Sequence, residues 1–146
     1  MSDNAALQPL QTGLRHRERL VVRVMHTVPE IDGAWPGFRD MPPVLATAMM
    51  IGFIEQTCIE ALRPYLSFEQ RTVGTHVDVS HVAATPVGMT VTAEVELIAV
   101  DGKSLRFRVR CLDEAGLIGE GTHERAIVDF GKFSKRVAQK GERFHV

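Results

Sequence analysis

Residues 43–66 read PVLATAMMIGFIEQTCIEALRPYL, the one long run in the chain with helical rather than strand character. Apolar side chains at Val44, Leu45, Ala48, Met49, Ile51, Phe53, Ile54, Cys58, Ile59, Ala61 and Leu62 leave almost no polar face. A helix that is apolar all round is a buried helix. The Pro42-Pro43 pair sets its start, and Pro64 ends it near Arg63, because a proline removes a ladder N–H and clashes with the preceding turn. Within this run stand a hydroxyl, Thr47, and an acid, Glu55. Taking an unpaired carboxylate out of water disfavours its charged form, so Glu55 needs an explanation that its neighbours do not.

Upstream, residues 27–43 (TVPEIDGAWPGFRDMPP) are punctuated by Pro29, Gly33, Pro36, Gly37, Pro42 and Pro43, which break any regular element. The same loop carries Trp35, Phe38 and Met41. Loops mostly run over the surface, so these apolar side chains are expected to cover something. Before the loop, RLVVRVMH (Arg19 to His26) reads as a first strand. Residues 1–14 are polar and aperiodic and are expected to be a flexible terminus.

Downstream the period changes to that of strands. Residues 72–84 put Val73, Thr75, Val77, Val79 and His81 on one face and His76, Asp78, Ser80 and Val82 on the other. Val91, Ala93, Val95 and Leu97 then alternate with Thr90, Thr92, Glu94 and Glu96. Asp101-Gly102 predicts a type I′ hairpin, leading into Leu105, Phe107, Val109 and Cys111 alternating with Arg106, Arg108 and Arg110. A turn at residues 113–116 introduces a last strand, Leu117 to Phe130, whose Gly119 and Gly121 suggest a bulge or a close backbone approach. The remaining tail carries five basic residues against one acid and suits a short helix. One apolar helix and a curved antiparallel sheet of about five strands cover each other's apolar faces. That α+β arrangement is the hotdog fold. Its open edge strand predicts a symmetric dimer. The chain divides into a flexible 1–14, a domain over 15–137 and a basic tail over 138–146.

At 146 residues, with 45% hydrophobic and 24% charged side chains, the chain fits one globular domain. Seventeen Lys and Arg balance 18 Asp and Glu, so no net field points to nucleic acid or a membrane surface. Cys58 and Cys111 have no ligand or CxxC spacing and read as core thiols in a reducing compartment. The first residues lack the basic start and apolar run of a signal peptide, and nothing later is long enough to span a membrane. A cytoplasmic protein is expected.

The candidate chemistry lies at three side chains. Thr47 and Glu55 are eight residues apart, roughly 12 Å along a helix and about 80° around it, so they flank one cleft without touching. The hydroxyl could instead bond a free first-turn amide, Glu55 could be an exposed acid with a dimer partner, and His81 could be a satisfied inward histidine. Taken together, a hydroxyl, a carboxylate and an imidazole on a helix–sheet cleft fit acyl transfer. Free amides at the helix start would serve a developing oxyanion. No metal-ligand spacing or phosphate loop competes.

At these residues the chain resembles the fluoroacetyl-CoA thioesterase family, a branch of the hotdog acyl-CoA thioesterases. The resemblance runs from about Gly13 to Val137. It is strongest in ATAMMIGFIEQTCIEALRPYL, GTHVDVSHVAATPVGMTVT and GEGTHERAIVDFGKF. By position it implies that the catalytic threonine, glutamate and histidine are Thr47, Glu55 and His81, that Gly74 lies beside the substrate carbonyl, and that Arg125 helps to organise the site. It also implies a homodimer with sites at the subunit interface and a lid formed by the loop before the helix. There the family's fluoroacetyl-CoA hydrolase has two phenylalanines; Phe38 matches one, and Met41 stands at the other. Methionine fills space adaptably, so a different or broader short-acyl preference is expected.

The resulting expectation is hydrolysis of a small acyl-CoA to the free acid and coenzyme A, with no cofactor beyond the coenzyme A of the substrate. Two rivals remain. A hydratase or dehydratase on the same fold would need an acid and a histidine close together, as Asp78 and His81 are, but these two alternate to opposite strand faces. A non-catalytic acyl-CoA binding protein would keep the fold without needing the Thr47, Glu55 and His81 set.

Overall fold

The computed structural model describes residues 9–145. The alternating segments form five strands: β1 (Arg15–Val21), β2 (Gln70–Val79), β3 (Thr90–Asp101), β4 (Ser104–Asp113) and β5 (Gly116–Asp129). All neighbours pair antiparallel, in the order β1-β3-β4-β5-β2. A one-turn helix α1 (Pro36–Arg39) and the long helix α2 (Thr47–Leu62) lie between β1 and β2, and α3 (Phe130–Arg143) follows β5. This is the expected α+β hotdog architecture, with α2 packed on one face of the sheet.

The core lies between them. Val91, Ala93, Val95 and Leu97 of β3 and Leu105, Phe107, Val109 and Cys111 of β4 are buried against Met50, Ile54, Cys58, Ala61 and Leu62 of α2. Each large aliphatic or aromatic side chain removed from water this way contributes about 1.5–3 kcal/mol. The opposite face of the sheet is charged, with Glu96 between Arg15 and Arg108, Glu94 beside Arg110 and Glu124 beside Arg106.

α2 is buried on one side only. Thr47, Ala48, Gly52 and Gln56 are exposed and Ile51, Glu55 and Ile59 half-buried, so the sheet leaves the other side of the helix incompletely covered.

Three element boundaries and one turn type differ from the sequence-based expectation. β1 spans Arg15–Val21 rather than 19–26. Beyond it Arg23 N donates to His26 Nδ1 and Thr27 Oγ1 to the Val24 carbonyl, winding residues 24–26 into a 3-10 turn. α2 starts only at Thr47, because residues 44–46 are held extended. Leu45 N donates to the Thr85 carbonyl and Ala46 N to that of His26, and Val44 bridges Pro86. β2 ends at Val79, and a bulge between Gly74 and His76 interrupts its alternation, so one pair of faces does not run through to His81. The β3–β4 hairpin forms with Gly102 and Lys103 as its two loop residues and a positive φ of 59° at Gly102. No positive φ occurs at Lys103, which is the II′ pattern rather than I′.

Of the terminus expected to be flexible, residues 1–8 lie outside the described residues. Residues 9–14 are anchored: Gly13 N donates to the Leu97 carbonyl and Leu97 N to that of Leu14, each at 2.8 Å, and Leu10 and Leu14 pack on the core. At the other end α3 runs unbroken across residues 137 and 138.

Candidate active site

Thr47 is the first residue of α2, and its N-cap, Ala46, has no side chain that can accept from the free amides. The Thr47 hydroxyl does not take that capping role. It lies 2.7 Å from His81 Nδ1. Among the described residues neither the Thr47 nor the Ala48 amide donates a hydrogen bond. A hydroxyl, an imidazole and two free amides therefore meet at the positive end of the helix dipole.

His81 sits two residues beyond β2, on a segment that lies against β5. Ser80 N donates to the Glu120 carbonyl at 2.9 Å and Val82 N to that of Ile118 at 2.7 Å. Gly119 and Gly121 make this approach possible: a Cβ at either position would run into the Ser80 or the Asp78 carbonyl. The two glycines that suggested a close backbone approach provide one, and it delivers His81 to Thr47.

Glu55 belongs to a second cluster, two turns along α2. Its Oε2 accepts from Arg125 Nη1 at 2.8 Å. Arg125 is 3% exposed, whereas Glu55 is 40% exposed and open on its other side. The guanidinium is fixed from three further directions. Nε donates to Thr72 Oγ1 at 2.9 Å, Nη2 to the Thr72 carbonyl at 2.9 Å, and Nη1 also faces His123 Nε2 at 3.1 Å. His123 Nδ1 lies 2.7 Å from the His76 carbonyl, an acceptor only, so Nδ1 carries the proton. Nε2 then accepts from Arg125, and His123 is neutral. Gly74 roofs the cluster. A Cβ there would stand 2.9 Å from Glu55 Oε2, 3.3 Å from the His123 ring and 3.4 Å from Arg125 Nη1, so glycine leaves the carboxylate uncovered.

The structure thus brings Thr47 together with His81, and Glu55 with Arg125 and Gly74. Glu55 bonds Arg125 rather than His81. Phe38 lies in α1, its ring edge-on to Trp35 at 5.1 Å, and Met41 is half exposed on the segment leading to α2. Two residues escaped sequence reasoning, His123 and Thr72. The signal for His123 was present in its two-residue spacing from Arg125, which places both on one strand face. Among the described residues no three His, Cys, Asp or Glu side chains converge as a metal site would require.

Burial lowers the pKa of His81 below its ordinary 6.5, against a weaker opposing pull from the Ala83 backbone. Burial likewise lowers that of His123; its bond to the His76 carbonyl opposes this and the neighbouring Arg125 charge adds to it. Both histidines thus stay neutral further into acid than in the unfolded chain, which binds protons first below 6.5. Their contribution to stability is complete above 6.5 and is lost as pH falls through their folded pKa values. Urea unfolding is expected to give the same free energy at pH 8 and 7 and a falling one from 6.5 toward 5; a flat profile to pH 5 would contradict the burial of both rings.

The chain is similar to known proteins over most of its length. A family profile described as fluoroacetyl-CoA-specific thioesterase matches residues 22–130. A fluoroacetyl-CoA thioesterase of Streptantibioticus cattleyicolor is 40% identical over 131 residues, which are 90% of this chain and 94% of that protein. A solved fluoroacetyl-CoA thioesterase superposes with a TM-score of 0.89 at 40% identity, over 91% of this chain and 98% of the other. Related solved forms are a threonine-to-alanine variant with fluoroacetate and a threonine-to-serine variant with acetyl-CoA. A thioesterase-superfamily member from Thermus thermophilus, 25% identical, matches with a TM-score of 0.84 over 94% of this chain and 98% of its own.

Proposed function

The chain belongs to the family of fluoroacetyl-CoA-specific thioesterases, and from that premise we propose that it hydrolyses a short-chain acyl-CoA to the free acid and coenzyme A. The observation that carries this reading is the 2.7 Å contact between Thr47 Oγ1 and His81 Nδ1 at an amino end of α2 with free amides. A neutral histidine in that position is a general base for the hydroxyl. As the Thr47 oxygen attacks the thioester carbonyl carbon, its proton passes to His81. The tetrahedral oxyanion meets the free amides of residues 47 and 48. The carbon–sulfur bond breaks, and the departing thiolate takes the proton from His81. Water then cleaves the acyl-threonine ester, giving the acid and the free hydroxyl. Glu55, held by Arg125 under Gly74, stands two turns along α2 from the attacked carbonyl and forms the second polar wall of the cleft. Coenzyme A enters as part of the substrate, and the reaction needs no other cofactor.

The test is thiol release from acetyl-, fluoroacetyl- and longer acyl-CoAs. Turnover of the short thioesters is expected, and no turnover of any would overturn the reading. Trapping by rapid quench should find the acyl group on Thr47; an acyl group on Glu55 would reverse the two roles.

Acyl selectivity belongs to Phe38 and Met41. With methionine at the second lid position, acetyl and fluoroacetyl groups should be separated weakly, because a flexible thioether adapts to both. The half-open face of α2 and the unpaired edge of β2 suit a second copy, giving a homodimer with sites at the interface. The site-bearing domain is residues 15–137. The unpaired, buried Cys58 and Cys111 suit a reducing cytoplasm, and the balance of 17 basic and 18 acidic side chains suits a protein without nucleic-acid or membrane partners.

A further inference from the structure

The loop that follows His81 is packed inside out. Residues 82–88 are all exposed except Thr85, which is fully buried, while Val82 and Val87 face solvent at 68% and 46% exposure. A segment that turns its valines outward and its threonine inward reverses the usual preference, and a buried hydroxyl is costly unless it is bonded. The Thr85 hydroxyl donates to Asp113 Oδ2 at 2.8 Å.

Asp113 is itself fixed where β4 turns into β5. Its Oδ1 accepts from Ala115 N at 2.8 Å and from Gly116 N at 3.2 Å, so both of its oxygens are engaged. The neighbouring Glu114 Oε1 accepts from Thr90 N at 2.7 Å, which ties the far end of the same loop to the same turn. The Thr85 backbone carries this anchor into the site. Its carbonyl accepts from Leu45 N at 2.9 Å, two residues before Thr47, and Pro86 bridges Val44. His81 is held separately, by the bonds of Ser80 and Val82 to β5. Thr47 and His81 therefore reach their 2.7 Å contact from two segments that both take their position from the β4–β5 hairpin, one along β5 and the other through Thr85 and Asp113.

We propose that Thr85 and Asp113 are positioning residues for the reactive pair, setting the first turn of α2 against His81 through the bond from Leu45 N to the Thr85 carbonyl. The proposal rests on the thioester reading above and adds to it the groups that keep its hydroxyl and its base in register. Both act through the backbone of residues 44–46, so their loss lowers kcat and leaves KM alone. A displacement of about 1 Å at a reacting group is enough to cost up to about 10²-fold in rate.

The test compares Thr85→Val, which keeps the shape of the side chain and removes its hydroxyl, with Thr85→Ser, which keeps the hydroxyl and loses a buried methyl. Thr85→Val should lower kcat for acetyl-CoA about tenfold with KM unchanged, and Thr85→Ser should retain most of the rate. Asp113→Ala should act as Thr85→Val does, and it decides the matter if Thr85→Val does not fold. In a His81→Ala background Thr85→Val should have no further effect on kcat, because the contact through which it works is already gone. Equal losses in the valine and serine variants, an unchanged kcat in both Thr85→Val and Asp113→Ala, or a full additional loss on top of His81→Ala would overturn the proposal. The side-chain nitrogen NMR spectrum gives a readout without turnover: the His81 Nδ1 resonance should move in Thr85→Val toward its position in Thr47→Ala. If the unmodified protein cleaves no thioester, the thioesterase reading fails and this shift still decides the positioning; an unmoved resonance would overturn it.

Discussion

His81→Ala should lower kcat by about 10²–10⁴-fold, the span that a positioned general base contributes, while the thermal unfolding midpoint moves by only a few degrees. The two readouts separate because His81 is a half-buried loop residue whose Nδ1 meets Thr47 and whose Nε2 is buried without a partner among the described residues. Alanine removes the base and takes away a polar atom that is costly to bury unpaired, so the loss of contact and the relief of that cost partly offset. Thr47→Ser keeps the hydroxyl on the histidine and should retain much of the rate, whereas Thr47→Ala should fall with His81→Ala. Single-turnover thiol release checks all three. A His81→Ala rate within a fewfold of the unmodified protein would remove the histidine from the chemistry even if hydrolysis itself were confirmed.

The second large effect is expected at Arg125. Arg125→Leu removes a 3% exposed guanidinium on which four acceptors converge, the Glu55 carboxylate, both oxygens of Thr72 and His123 Nε2. Breaking a fully buried ion pair costs about 3–5 kcal/mol. Glu55 is 40% exposed and can turn to water, so its share is screened, and about 3 kcal/mol is expected, mostly from the orphaned Thr72 carbonyl and the unfilled volume. The measurement is the urea midpoint at pH 8, where the histidines add nothing pH-dependent. Arg125→Lys should recover little, since one ammonium cannot serve four acceptors spread around a planar fork. Stability within 1 kcal/mol of the unmodified protein would show that the cluster is not held as described. Activity should fall with either substitution, because Glu55 loses its anchor under Gly74.

Much of this was legible in the residues. Strict alternation in Val91, Ala93, Val95 and Leu97, and again in Leu105, Phe107, Val109 and Cys111, identified β3 and β4 because one sheet face is apolar and the other charged. The sequence pattern misses the start of β1 because His16 and Glu18, paired with each other at 3.0 Å, occupy inward positions where apolar residues would announce the strand. The sequence pattern starts α2 three residues early because the backbone bonds that hold residues 44–46 extended come from the distant residues 26–28 and 85–86. The site divided in the same way. Helix spacing correctly separated Thr47 from Glu55, but no local pattern could show that Arg125, 70 residues further on, is the partner of Glu55. His123 stood in plain view two residues from Arg125 and was passed over because only the His76 carbonyl, across the β2–β5 ladder, fixes its tautomer.

The late start of α2 also bears on the order in which the molecule assembles. The segment that launches the helix and the loop that follows His81 are one hydrogen-bonded unit, through Leu45 with Thr85 and Val44 with Pro86, and the 34-residue span from Thr47 to His81 closes only when both are docked. Loop-closure entropy must be met before such a contact forms. The reactive pair should therefore mature after the β3–β4–β5 meander and be the first part to open in the native state. In hydrogen exchange, the amides of residues 45 and 46 should lose protection together and ahead of those on β4.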